Sequence, residues 1–187
     1  MLLLVLGLAL WIAAHAFKRA APAQRGALAA RLGEGPAKGV VAAVIGVGLV
    51  LMIVGYRGAP FVPLYTPPAW TVHLNNLLML GAVALMGMGQ SKGRARSWLR
   101  HPMLTGVMVW AVAHLLVNGD LASLVLFGGL GLWAAASVAV INAGEPDWTR
   151  PAPGPVSGDI RLLAITAVVF AVIAGVHAWL GYWPFPR

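Results

Sequence analysis

The chain has 187 residues, of which 60% are hydrophobic and only 10% are charged. A soluble domain typically carries charge on about a quarter of its residues, so this composition argues against a soluble globular protein. Cysteine is absent, which excludes disulfides, a thiolate nucleophile and cysteine ligands for a metal, and leaves imidazole as the expected ligand.

The charged residues are confined to short segments between long apolar stretches that contain no Asp, Glu, Lys or Arg. A helix of about 20 apolar residues crosses a bilayer, so these stretches predict an all-α, polytopic membrane protein. Residues 1–187 are predicted to form a single domain, a bundle of six transmembrane helices. The six predicted spans are 1–20, 39–57, 71–90, 102–118, 121–142 and 160–181.

The distribution of positive charge predicts the orientation of these helices. The net charge is +8, and the basic residues fall mainly in the first, third and fifth connections between the predicted spans. Because Lys and Arg are enriched in cytoplasmic loops, both termini are predicted to lie outside. The same pattern favours the lipid bilayer over nucleic acid as the partner of this charge. Lys18 and Arg19 follow the first apolar run, whereas a signal peptide has its basic residues first, so an uncleaved anchor is predicted.

The connections also carry local predictions, in chain order. A short amphipathic helix is expected at 23–32, on the inner surface of the membrane. Residues 59–69 contain four prolines, which cannot continue a helix. Residues 118–120 leave so little chain that predicted helices four and five must form an antiparallel hairpin. Residues 145–158 contain another four prolines and are predicted to form a loop. Glycines in the second, third and fifth predicted helices indicate close helix packing.

Two predicted helices share a tryptophan four residues before a histidine: Trp11 before His15, and Trp110 before His114. Residues i and i+4 lie one above the other on a helix face, so each imidazole has an indole one turn away. A histidine inside a membrane helix is costly unless it pairs, lines a cavity or binds a ligand. Two such faces would suit a haem iron held by both imidazoles. The alternative is that both tryptophans are interface anchors and both histidines bond to backbone carbonyls.

Three other histidines leave further alternatives open. His177, and less strongly His73, is a rival partner for His114. His15 is expected near the cytoplasmic side of the membrane, whereas His114 and His177 are both expected towards the outer side. His101 precedes a proline, and proline is favoured at the first helical position, so His101 is interpreted as a helix cap. With Arg100 it could instead receive an anionic group such as a haem propionate or a phosphate.

The central block of the chain resembles the signature of the NnrU family of bacterial membrane proteins. The block comprises Arg100-His101-Pro102, Trp110, Ala113-His114 and Asn118-Gly119-Asp120. The resemblance extends over nearly the whole chain, including His15 after its apolar run and His177 near the end. A relative of this family in plants and cyanobacteria is 15-cis-zeta-carotene isomerase.

This resemblance implies a multi-pass protein of the bacterial inner membrane that carries a b-type haem, with axial ligands at His15 and His114. Arg100, His101 and the two tryptophans would complete the cofactor site. The isomerase has an alternative cysteine ligand one turn before the second histidine. Ala111 stands there in this chain, so exchange to a thiolate is excluded. The family's link to denitrification and nitric oxide metabolism suggests a small gas or an apolar molecule as ligand, and denitrification proteins as partners.

Several hypotheses about function remain. The first is a haem b protein of denitrification, acting as an enzyme, a sensor or an accessory factor. The second is a haem-dependent carotenoid isomerase. The third is an S-adenosylmethionine-dependent membrane methyltransferase, because Arg-His-Pro also occurs in that class, although its paired glutamates are reduced here to Glu145 alone. A scaffold that assembles another respiratory protein is a fourth. No residue is assigned as catalytic.

Overall fold

The fold is described from a computed structural model, in which residues 1–186 are described. Within those residues there is no strand, only an isolated bridge between Pro63 and Asp120. The all-α class is confirmed. The contacts divide the chain into two compact units: the first comprises 1–63 and 120–126, and the second comprises 64–119 and the residues from 127 onward. The single domain predicted for 1–187 stays a prediction.

Five helical segments are long and apolar enough to cross a membrane. They are α1 (Leu2–Ala20), α3 (Glu34–Arg57), α4 (Thr71–Met88), the continuous helical segment Leu121–Gly144 and α8 (Val156–Trp179). The chain is therefore a multi-pass helical membrane protein. Each of these helices matches a predicted span, although α3 begins five residues before its charge-free stretch and α8 begins four residues before 160.

The remaining predicted span, 102–118, forms a shorter apolar helix, α5 (Pro102–Leu115), of 14 residues. At 1.5 Å per residue this helix is about 21 Å long, less than the ~30 Å of a hydrocarbon core. After the last turn of α5, the backbone N–H of Asn118 donates to the carbonyl oxygen of His114 over 2.9 Å. A sixth span and the orientation of the termini stay predictions.

In the first unit, α1 and α3 pack antiparallel through glycine. A Cβ on Gly55 would overlap the backbone of Leu4, and a Cβ on Gly48 would approach Trp11 N to 3.0 Å. Such glycines let two membrane helices approach closely where a larger side chain could not fit. The predicted packing role is thus confirmed for Gly48 and Gly55, but it is wrong for Gly46, which faces open space.

The first unit also contains the connection between α1 and α3. The short helix predicted at 23–32 is confirmed as α2 (Pro22–Leu32), which begins with proline and has no buried residue. An ion pair of 3.3 Å joins Arg25 to Glu34 at the start of α3. Arg25 and Glu34 both lie outside the apolar part of α3.

One buried polar network completes the first unit. Ser123 lies in the short helix α6 (Leu121–Ser123) and is fully buried. Its hydroxyl donates to Asp120 Oδ2 over 2.5 Å and accepts from the Tyr56 hydroxyl over 2.8 Å. Asp120 also accepts from the backbone N–H of Ser123, as a helix N-cap. The end of α3 is thereby joined to the turn that opens the next helical segment.

The segment after α6 is not a regular helix. A five-residue π-helical stretch, Leu124–Gly128, leads into α7 (Gly129–Gly144). Such stretches are rare and are frequent at functional sites. The prediction of one regular helix over 121–142 misses this change, because every residue in the stretch is apolar or glycine.

In the second unit, α4 packs on α5 and α8, and α5 also packs on α7. The antiparallel hairpin of α5 and α7 is confirmed. His101 at the start of α5 contacts Asn142 near the end of α7, and Ala111 lies against Gly131 at the opposite end of the pair.

Two proline-rich connections, 59–69 and the residues before α8, form no regular helix. Residues 59–69 contain no helix, as their prolines predict. The basic loop before α5 packs on the start of α8 and on the segment before it: Asp159 Oδ1 in α8 accepts from Ala95 N over 3.0 Å, and Gly154 N donates to Gly93 O over 3.1 Å. The predicted loop 145–158 is shorter than expected, because α8 already begins at Val156.

Candidate functional site

His114 lies in a three-ring aromatic cluster in the second unit. The Trp110 ring centroid is 5.0 Å from that of the imidazole, and Phe127 stacks on the imidazole at 4.5 Å with an interplanar angle of 27°. Phe127 also meets Trp110 edge to face at 5.0 Å, and only 6% of its surface is exposed. We call these three residues the His114 cluster. Contacts with the two neighbouring rings restrict rotation of the imidazole.

The hydrogen bond of His114 defines which ring nitrogen is protonated. Nδ1 lies 2.9 Å from the carbonyl oxygen of Trp110. A carbonyl oxygen only accepts, so Nδ1–H donates, and in the neutral imidazole Nε2 carries the lone pair. Metal-binding histidines generally donate their second ring N–H in this way, which fixes the tautomer and the ring orientation. The alternative interpretation, in which the histidine bonds to a backbone carbonyl, predicted this hydrogen bond. The bond is present, and it is also compatible with ligation of a metal by Nε2.

The end of α5 beyond His114 is clamped by the segment that precedes α4. The Tyr65 hydroxyl lies within hydrogen-bonding reach of the carbonyl oxygens of Leu115 and Asn118, while the Asn118 side-chain amide donates to the carbonyl oxygen of His114 over 2.8 Å. The Tyr65 N–H donates to Gly119 O over 3.1 Å, and a Cβ at Gly119 would overlap the Tyr65 backbone. These contacts hold the turn that follows the histidine.

His15 in the first unit repeats the local geometry of His114. Its Nδ1 lies 2.9 Å from the carbonyl oxygen of Trp11, and the two ring centroids are 4.4 Å apart. The predicted contact between each histidine and the tryptophan one turn earlier is therefore present in both helices. By the same tautomer argument, Nε2 of His15 carries the lone pair. Coordination of one iron by His15 and His114 stays a prediction.

The rival histidines differ in what their rings do. His177 belongs to the second unit, like His114, and its Nδ1–H donates to Ile173 O over 2.8 Å, so Nε2 again carries the lone pair. His73, near the start of α4, is exposed. Its imidazole makes no hydrogen bond within residues 1–186.

Arg100 and His101 contact the end of α7. His101 Nε2–H donates to Asn142 Oδ1 over 2.8 Å, and the Arg100 guanidinium donates to the carbonyl oxygen of Glu145. His101 occupies the N-cap position of α5, as predicted, but its side chain makes no capping hydrogen bond. Both side chains thus join the two helices of the hairpin. Their predicted role toward an anionic group stays a prediction.

The donor set of the described chain fits haem better than a bare metal ion. Among residues 1–186 no three His, Cys, Asp or Glu side chains come together as a metal site. Haem iron needs no such cluster, because the porphyrin supplies four ligands and the protein supplies one or two. His15, His114 and His177 each donate the Nδ1–H to a backbone carbonyl oxygen, so that the lone pair of each neutral ring lies on Nε2.

Sequence reasoning found the histidines and tryptophans but missed Phe127 and Tyr65. Neither residue has a sequence signal of its own, because Phe127 is one apolar residue among many and Tyr65 stands in a proline-rich segment. Their contacts with α5 join residues 13 or more positions apart in the chain. Only the fold brings them together.

The fold and these side chains define a class: a multi-pass helical membrane protein with histidines held beside aromatic rings in apolar helices. Within that class, the family model described as NnrU protein matches residues 3–184, nearly the whole chain. The chain belongs to the NnrU family. Comparison with curated proteins and with solved structures gives no match.

Proposed function

We propose that this protein binds haem b in the bacterial inner membrane, and that the imidazoles of His15 and His114 would both hold the iron. The observation that carries the proposal is the shared geometry of these residues. Each Nδ1–H donates to the carbonyl oxygen one turn earlier, beside an indole, so that the lone pair of the neutral ring lies on Nε2. Apolar helices around such a site would keep the iron away from bulk water.

The bound haem would supply an iron centre able to exchange electrons, and binding of a small gas such as nitric oxide would require one of the two imidazoles to leave the iron. The chain's own part is to orient the imidazoles. Phe127 and Trp110 restrict rotation of the His114 ring, and Tyr65 with Asn118 holds the turn after it. Arg100 and His101, at the start of the same helix, are proposed to lie on the side of the haem propionates.

Membership of the NnrU family supports a role connected with denitrification, as an enzyme, a sensor or an accessory factor of denitrification proteins. We propose that α5 forms a sixth, short span, with both termini outside, since that arrangement places most of the basic residues inside. The carotenoid isomerase and methyltransferase hypotheses stay predictions, because no contact in the described chain favours either of them.

A second ligand pair, His114 with His177, is the main competitor within this proposal. Both residues belong to the second unit and both have the tautomer that suits ligation. His73 is a weaker competitor, since no backbone bond of its ring fixes a tautomer. The two ligand pairs make different predictions for substitution of His15.

The test is the absorption spectrum of detergent-solubilised protein, oxidised and reduced, after expression with ample haem. We expect a Soret band that His15→Ala and His114→Ala each weaken at least severalfold, and that His177→Ala and His73→Ala leave in place. Loss with His114→Ala and His177→Ala but not His15→Ala would establish the competing pair. A colourless wild-type protein would remove the haem proposal altogether.

A further inference from the structure

A cleft of about 480 Å³ lies in the second unit where α4 begins and where the chain continues past the end of α8. Its walls include Trp70, His73, Trp183 and Phe185. We call it the aromatic cleft. Its volume lies within the range of small-molecule sites, about 300–1,000 Å³. Because α4 and α8 are both candidate membrane spans, the cleft is expected at the boundary between lipid and water.

The C-terminal wall of the cleft is held in place by specific contacts. The side-chain amide of Asn76 donates to the carbonyl oxygen of Pro184 over 3.0 Å. On either side of that proline, Trp183 and Phe185 meet edge to face at 5.7 Å, and Phe185 also contacts Phe170 of α8 at 6.5 Å. The wall is thus tied to both α4 and α8.

The lining indicates the chemistry of the ligand. No Asp, Glu, Lys or Arg is among the described residues that line the cleft. It has flat aromatic rings and one imidazole, that of His73, with no hydrogen-bond partner within residues 1–186. Aromatic walls favour a flat ring, and the imidazole favours a carbonyl or hydroxyl on it.

We infer that the aromatic cleft binds the head group of a membrane quinone or quinol. Such a head group is uncharged and flat, carries oxygens that the His73 imidazole can hydrogen-bond, and reaches the protein through the bilayer. The rings of Trp70, Trp183 and Phe185 would pack against it, with the isoprenoid tail in lipid. The residues that line the cleft do not include the proposed iron ligands His15 and His114, so this inference does not rest on the haem proposal.

Calorimetric titration of the full-length protein in detergent with decylubiquinone tests the inference. We expect saturable binding with one site per chain. His73→Leu removes the hydrogen bond and Trp183→Leu removes a ring, so each should raise Kd about fivefold. His73→Gln, which restores a hydrogen-bonding group, should recover part of the affinity. Both positions are exposed, so the variants are expected to fold.

Trp98→Leu is the matched control, because Trp98 is an exposed tryptophan outside the cleft. It should leave Kd unchanged. Equal weakening by all three leucine variants, or uptake that never saturates, would show simple partitioning into the micelle and overturn the inference. Displacement of the quinone by a short-chain phosphocholine lipid with no effect of His73→Leu would do so too, since it would assign the cleft to a lipid head group. The Soret band is measured separately, so failure here leaves the haem proposal standing.

Discussion

The surroundings of the two principal histidines differ in how they are held. His15 is exposed on α1, a helix that packs on α3 through backbone contacts at glycines. His114 is half-buried, stacked on Phe127 and followed by a turn that a tyrosine and an asparagine hold by hydrogen bonds. The glycine contacts position the whole of α1, whereas the contacts of His114 position a single side chain. We therefore expect the packing of α1 to depend on the absence of side chains at the glycines, and the orientation of His114 to depend on the residues that contact it.

The largest expected effect tests the glycine packing of the first unit. Gly55→Leu should lower the free energy of unfolding by about 3 kcal/mol, because the new side chain overlaps the backbone of Leu4. Unfolding of the purified protein in SDS, followed by circular dichroism, measures it. Gly46→Leu is the matched control on the same helix and should change little, since Gly46 faces open space. Equal losses for both variants would mean that close approach at Gly55 is not what holds the pair.

A smaller effect tests the polar network of the same unit. Ser123→Ala removes a buried hydroxyl that donates to Asp120 and accepts from Tyr56, so a loss of about 2 kcal/mol is expected in the same unfolding assay. Ser157→Ala, at an exposed serine, is the control. If the two alanine variants unfold alike, the network contributes nothing measurable and glycine packing alone describes the first unit.

The His114 cluster gives a third test. Phe127→Leu removes the ring stacked on the imidazole, at an expected cost of about 1 kcal/mol in unfolding free energy, and should broaden or shift the absorption bands of any bound haem. The comparison is Phe61→Leu, because Phe61 is 77% exposed. Should Phe127→Leu alter stability but leave the spectrum of a haem-loaded protein unchanged, the cluster would be a packing feature rather than a support for the ligand.

The smallest expected effect comes from the clamp on α5. Tyr65→Phe removes one hydroxyl from the carbonyl oxygens of Leu115 and Asn118, and about 1 kcal/mol or less should be lost. Hydrogen exchange at the end of α5 should rise, because the turn after His114 opens more often. Tyr182→Phe, at an exposed tyrosine, is the control. Unchanged exchange in Tyr65→Phe would show that the turn does not need the clamp.

The sequence predicts those parts of the molecule that depend on local chemistry. Lys18 and Arg19 mark the end of α1, and Pro68 and Lys92 bracket α4, so the bounds of these two helices follow closely from composition. The contacts of Trp11 with His15 and of Trp110 with His114 follow from helical spacing alone. A charge-free stretch predicts the part of a helix that lies in the hydrocarbon core, but the helix itself can extend beyond that part. For this reason α3 begins at Glu34 instead of residue 39.

What the sequence does not predict depends on distant partners. The early end of α5 reflects a turn held by Tyr65 from another segment, and no local pattern ends the helix at Leu115. The π-helical stretch that contains Phe127 has no special residues, so its position depends on packing. The same reason hides the aromatic cleft, whose walls come from residues more than 100 positions apart.

Electron paramagnetic resonance of the oxidised, haem-reconstituted protein tests the central proposal most directly, because it reports the axial ligands of ferric iron. Two imidazoles give a low-spin signal, and loss of one of them gives a high-spin signal. We predict a low-spin wild type, with conversion to high spin in both His15→Ala and His114→Ala. A low-spin signal that survives either substitution, or a wild-type protein that takes up no haem, would contradict ligation by this pair of histidines.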